Sequence, residues 1–184
     1  IESERENHQI NVLMQCTPNI ERIGDYATNF DEMAKKLTGT GLSFSENAKK
    51  EMALLGDAVV EILRLTVDAL EKDSESIARR IEPLEEVIDD MVLMVRNNHS
   101  ARLRNGMCSI ETGLIYMDLL THLERTADQC SNIALLVLGK KNAEVMNNYH
   151  NYIRELHTSG DLSYLAEEKN RREQYISPLE AILI

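Results

Sequence analysis

The sequence predicts an all-α protein: a long antiparallel, up-and-down helical bundle with a shorter C-terminal helical appendage. Three observations carry this reading. Apolar residues recur at spacings of three and four along most of the chain, the period of one helix face. Three Pro and eight Gly in 184 residues leave few turns. Aromatics make up only 4% with no Trp, while Leu, Ile, Met, Ala and Glu abound, which is the composition of long helices with short connections.

The first helix reads from about Glu2 to Leu37, with Lys35 and Lys36 near its end and Gly39 and Gly41 stopping it. Pro18 predicts a kink in a continuous helix; the alternative is a fresh helix capped by Thr17. Ser43-Phe44-Ser45-Glu46 has the form of a capping box and opens the second helix, whose apolar seam runs from Phe44 through Leu55 and Ile62 to Leu70. Lys72-Asp73-Ser74 is a tight link. The third helix follows from about Ile77 to Leu103, with Pro83 inside it predicting a local bend, and Asn105-Gly106 makes the next turn. The fourth helix runs from about Ser109 to Leu138. Helices of about 28 residues, roughly 42 Å long, joined by links this short must pack as antiparallel neighbours. Met91, Met94, Met107 and Met117 read as core filling. Beyond Gly139 the pattern weakens into two shorter helices, about Ala143 to His157 and Leu162 to Tyr175, in which Tyr149 and Tyr152 read as packing groups. The domain division is thus a bundle over 1–139 and a tail over 140–184 that folds onto the bundle or binds a partner.

A net charge of −11 argues against nucleic acid and against adsorption to an anionic membrane face. Cys16, Cys108 and Cys130 are odd in number and lack CxxC spacing, which speaks against a disulfide framework and for a reducing compartment. No stretch approaches the ~20 apolar residues that span a bilayer, and no signal-peptide pattern is present. The chain starts at Ile1 and enters directly into helix-like sequence, so it reads as excised from a longer protein.

One stretch occurs twice. Ile20-Glu21-Arg22-Ile23-Gly24-Asp25 continues to Asn29-Phe30, and Leu123-Glu124-Arg125-Thr126-Ala127-Asp128 continues to Asn132-Ile133. Glu, Arg, Asp and Asn are identical, the flanking positions are apolar, and Gly24 matches Ala127 in being small. Glu and Asp four apart lie one above the other on a helix, where like charges repel by a few tenths of a kcal/mol. With 31 acidic residues, about five such pairs arise by chance, so the shared four-residue frame, and not any single pair, marks an internal duplication.

The bland reading of these carboxylates is a solvated acidic face with Arg22 and Arg125 pairing locally; the functional one is oxygen ligation of a cation from two facing helices. Di-iron oxidase chemistry needs Glu-x-x-His pairs, and none of His8, His99, His122, His150 or His157 follows a Glu by three residues. His122 reads as an interface residue. No Gly-rich phosphate loop, Ser-His-Asp grouping or nucleophilic Cys signature occurs, so no catalytic turnover is expected.

The duplicated frame resembles the PhoU family, tandem three-helix bundles whose third helix carries Glu-Arg-Ile-Gly-Asp followed by Asn-Ile. Glu21 to Asn29 is similar almost letter for letter; Glu124 to Asn132 departs at Thr126 and Ala127. Glu85 to Asp89 fits the acid-xxx-Asp of the family's second helix. The resemblance covers roughly residues 10 to 139 and implies one helix of a first repeat plus a complete second repeat. It implies that Glu85 and Asp89 with Glu124 and Asp128 hold a metal ion, iron by resemblance and zinc or another divalent ion as alternatives. Glu21 and Asp25 are a further ligand pair without their usual acidic partner. Antiparallel packing sets Asp89 nearer Glu124 than Asp128. The arrangement looks like the cytoplasmic part of sodium/phosphate cotransporter-like proteins, which implies a membrane transporter domain in the same polypeptide as partner. On that reading the chain is a non-catalytic cytoplasmic regulatory module tethered to the inner face of the membrane, with self-association into a homo-oligomer compatible with it. The alternative is a free-standing metal-binding or structural bundle.

Overall fold

The computed structural model describes residues 2–139 and 162–182, and all the secondary structure among them is helical. The elements are α1 (Glu2–Thr40), α2 (Glu46–Glu71), α3 (Glu75–Ala78), α4 (Ile81–Arg104), α5 (Ile110–Gly139), α6 (Leu162–Arg171), a π-helical turn (Arg172–Ile176) and α7 (Ser177–Glu180). The all-α expectation holds. The expected helix over Ala143 to His157, with Tyr149 and Tyr152, lies outside the described residues.

Helix α1 is continuous through Pro18, so the fresh start at Thr17 does not occur. Pro18 removes one donor to the carbonyl of Met14, a residue 68% exposed, so the loss falls on the solvent side of the helix. Thr17 hydroxyl donates to the Leu13 carbonyl at 3.1 Å instead of capping a helix. The cap of α2 is Ser45, not Ser43: Ser45 Oγ accepts from the Ala48 N–H at 3.2 Å. Glu46 then sits in the first turn, where its charge complements the helix dipole.

The expected third helix is broken in two. Pro83 has no N–H for the carbonyl of Arg79, and its ring crowds that carbonyl, so the helix restarts at Ile81 with Pro83 in the first turn, where proline is tolerated. Gly106, at φ +67°, takes the left-handed position closing α4. Met107 beyond it is 55% exposed, in contrast to fully buried Met91, so the core assignment fails for Met107 at the turn.

Helix α5 is the axis of the bundle, packed against α1 on one side and against α2 and α4 on the other. Helices α1 and α5 run antiparallel. Val12 and Cys16 pack with Ile133, while the rings of Tyr26 and Phe30 lie 5.5 and 6.0 Å from that of His122, which is thus an interface residue. The main core joins Leu55 and Ile62 of α2, Ile88 and Met91 of α4, and Leu120 and Ala127 of α5, and includes Ile176 and Leu179 from the C-terminal segment.

Three helices meet at a buried ion pair. Glu51 is 0% and Arg102 1% exposed. Glu51 Oε1 accepts from Arg102 Nη1 at 3.0 Å and Asn98 Nδ2 at 2.8 Å; Oε2 accepts from Arg102 Nη2 at 2.6 Å and the Tyr116 hydroxyl at 2.9 Å. The Arg102 guanidinium also lies 5.7 Å from the centre of the Tyr116 ring. All three cysteines are free, and burial pushes the Cys130 thiol up to about 11, which makes it inert.

Removing one partner of such a pair strands the other charge in the core. Arg102→Met is expected to lower stability by about 3–5 kcal/mol. Glu51→Leu combined with Arg102→Met should cost clearly less than that single change. Urea denaturation of the two variants checks this; equal losses would show that the pair is not an electrostatic unit.

Candidate functional site

On α4, Glu82, Glu85, Glu86 and Asp89 fall at i, i+3, i+4 and i+7, a single carboxylate stripe. Helix α5 faces it with Ser131, whose hydroxyl donates to Glu82, and with Asp128. Glu85, Asp89 and Asp128 each bring a ligating oxygen to within 4.8 Å of the other two, and Glu82, Glu85 and Glu86 form a second such trio.

Burial dominates the electrostatics of this site. It pushes the Glu85 carboxyl up to about 9, reinforced by Glu82 and Asp89. It pushes Asp89 up to about 7, reinforced by Asp128 and Glu124. Asp128 is also raised by burial and by Glu124, against a hydrogen bond from Glu85 that favours its ionised form. Glu85 therefore holds a proton and donates it toward Asp128. Asp89 Oδ1 is buried without a hydrogen-bond partner among the described residues. An acceptor in that position is satisfied by a proton or by a cation, and the all-oxygen donor set fits a hard cation.

The structure thus gathers three of the six candidate ligands. Glu124 is drawn away: it accepts from Arg96 Nη2 at 2.6 Å, beside a 3.3 Å bond from the same nitrogen to Thr121. Asp89 consequently groups with Asp128, and the expected approach to Glu124 gives way to the Arg96 pair. Glu21 and Asp25 are exposed on α1, outside both carboxylate trios found among the described residues. The paired small residues also differ in use. Ala127 is fully buried in the core, whereas Gly24 has open space where a side chain would be. Glu82 was missed by sequence reasoning, although acids at i, i+3 and i+7 already marked the stripe.

Fold and site together define an all-helical module with an internal acidic seam. The chain matches the PhoU family, described as PhoU domain, over residues 52–137, a little under half of its length. It is similar to "Phosphate-specific transport system accessory protein PhoU homolog 1" of Thermotoga maritima, 26% identical over 121 residues, covering 66% of this chain and 51% of the relative. It is also similar to "Phosphate-specific transport system accessory protein PhoU homolog" of Synechocystis, 26% identical over 136 residues, covering 72% of this chain and 59% of the relative. The chain therefore spans little more than half the length of these curated relatives. No solved structure matches it significantly.

The raised carboxyl groups fix a pH dependence. Between the ordinary carboxylate values, 4.5 for Glu and 3.8 for Asp, and the folded values of about 9 and 7, the folded chain holds more protons than the unfolded chain. Stability contributed by these groups is fully present below pH 4 and declines as pH rises through about 9. Without added metal, the melting temperature should fall from pH 5 to pH 9, and Asp89→Asn should flatten the lower part of that fall. A wild-type melting temperature that rises over this range would exclude the protonated seam.

Proposed function

We propose that this chain is a non-catalytic, cytoplasmic regulatory module of phosphate transport, acting on a sodium-coupled transporter domain in the same polypeptide at the inner face of the membrane. The observation that supports it most directly is the acidic frame Glu124 to Asn132. It lies inside the span that matches the PhoU domain and presents Asp128 to the carboxylates of α4. Both relatives carry names that place them in a phosphate-specific transport system. The domain division follows from the same reading, with residues 1–139 as the PhoU-like bundle and 140–184 as its tail.

Glu85, Asp89 and Asp128 are the residues that would hold a cation in this module. Their oxygens suit iron(II), manganese, magnesium or calcium better than zinc, which prefers nitrogen and sulfur ligands. A bound cation supplies the positive charge that lets all three carboxylates ionise together, tying α4 to α5.

Uptake of radiolabelled phosphate by cells bearing the full-length gene tests the function. Deletion of residues 1–184 should change the rate or its response to phosphate supply, and replacing sodium by choline should abolish uptake. Unchanged uptake after the deletion, with no hydrophobic spans encoded upstream of Ile1, would leave a free-standing helical protein.

Manganese or iron(II) added to chelator-stripped chain should raise the melting temperature, with about 2.7 kcal/mol of stabilisation at a hundredfold excess over Kd. Glu85→Gln with Asp128→Asn should remove the shift. A shift that survives this double change would place the cation elsewhere.

A further inference from the structure

The C-terminal segment is bound to the bundle the way a ligand is bound. Its apolar side, Tyr164, Tyr175, Ile176 and Leu179, is buried, with Leu179 at 0% exposure. Its polar anchors are consecutive arginines that reach two different helices. Arg171, 6% exposed, donates through Nη1 to Glu61 of α2 and through Nη2 to its own Glu167 at 2.8 Å. Arg172 donates through Nη2 to Asp90 of α4 at 2.5 Å and through Nε to its own Glu168 at 2.9 Å. Glu61 also accepts from Gln174 at 3.2 Å and from the Tyr175 hydroxyl. The bridging falls where α6 passes into the π-helical turn, an irregularity frequent at functional sites. Beside it, a cleft of about 480 Å³ lined by Asp57, Glu61, Arg64, Asp68 and Tyr175 extends the same acidic surface along α2.

We propose that the α2–α4 face bearing Glu61 and Asp90 is a docking groove for an arginine-bearing amphipathic helix, and that the C-terminal helix is its resident self-ligand. The partner is a helix with adjacent arginines, a following aromatic and an apolar face, and charge complementarity selects it. Arg171 fans across two carboxylates, a geometry that Lys cannot reproduce. As part of the same chain the self-ligand stands at an effective concentration of about a millimolar, so with an intrinsic Kd of about 10 µM it disfavours any competing helix about a hundredfold. A competing helix therefore engages only when it is tighter, or tethered itself. The groove adjoins the carboxylate stripe of α4, since the C-terminal helix places Tyr164 in the field of Glu82, Glu85 and Glu86.

A fluorescent peptide of residues 162–182, followed by anisotropy, tests the groove on the full 184-residue chain. The wild-type chain should bind it weakly. The full chain with Arg171→Glu and Arg172→Glu, its own helix disfavoured, should bind the wild-type peptide about a hundredfold more tightly. A peptide with the same two reversals should not bind. Adding Glu61→Arg and Asp90→Arg to the wild-type chain should exchange the preference, so that the reversed peptide is taken. If circular dichroism shows that the reversals unfold the chain, Arg171→Gln with Arg172→Gln replaces them with the same expected direction. Equal binding of the peptide by wild type and released chain, or tight binding of both peptides, would overturn the proposal.

Discussion

A fully buried carboxylate is costly in a protein core, and the bundle is built so that Glu51 is not left alone. Its two oxygens accept four hydrogen bonds, from Arg102, Asn98 and Tyr116, which come from two other long helices. Because every bond is directional, this cluster fixes the heights of α2, α4 and α5 relative to one another, where apolar packing alone tolerates some sliding. Asp89 lies thirteen residues before Arg102 on α4, and Asp128 twelve residues beyond Tyr116 on α5, distances of about 19 and 18 Å along their helices. The buried pair thereby brings Asp89 level with Asp128.

The two ends of the bundle treat the same functional group in opposite ways. Glu51 meets a guanidinium and two neutral donors, so its negative charge is matched where it stands. Glu85 meets other carboxylates in a site with little water, so it keeps a proton at neutral pH. The first arrangement is settled and holds helices together. The second is poised, because its crowded oxygens are relieved by protons or by a cation alike. The C-terminal helix adds a third variant, with carboxylates at the surface of α2 and α4 neutralised by arginines that belong to a separate segment.

Much of the site was legible in local sequence. The repeated frame singled out Glu124 and Asp128, and the family resemblance added Glu85 and Asp89. The diversion of Glu124 was not legible, because Arg96 is 28 residues away along the chain and becomes a neighbour only when α4 and α5 pack. The same holds for Glu51 and Arg102, 51 residues apart, neither of which stands in a motif. Local rules also competed with one another. Ser43 and Ser45 both satisfy a capping preference, and only the geometry of the turn into α2 selects Ser45, whose Oγ accepts from the Ala48 N–H. Pro83 allows either a bend or a restart, and crowding at the Arg79 carbonyl selected the restart.

What the sequence by itself determined is the number, kind and order of the long helices, because helix formation rests on spacing, capping and breakers within a few residues of each other. It also determined that three helices each carry a Glu–Asp pair one helical turn apart. Which carboxylates share a site was decided only by the tertiary structure, since that depends on register between helices, and register is set by contacts across the bundle. The same is true of the seat of the C-terminal helix. Its arginines could be read from the chain, but Glu61 and Asp90 become a groove only when α2 and α4 lie side by side.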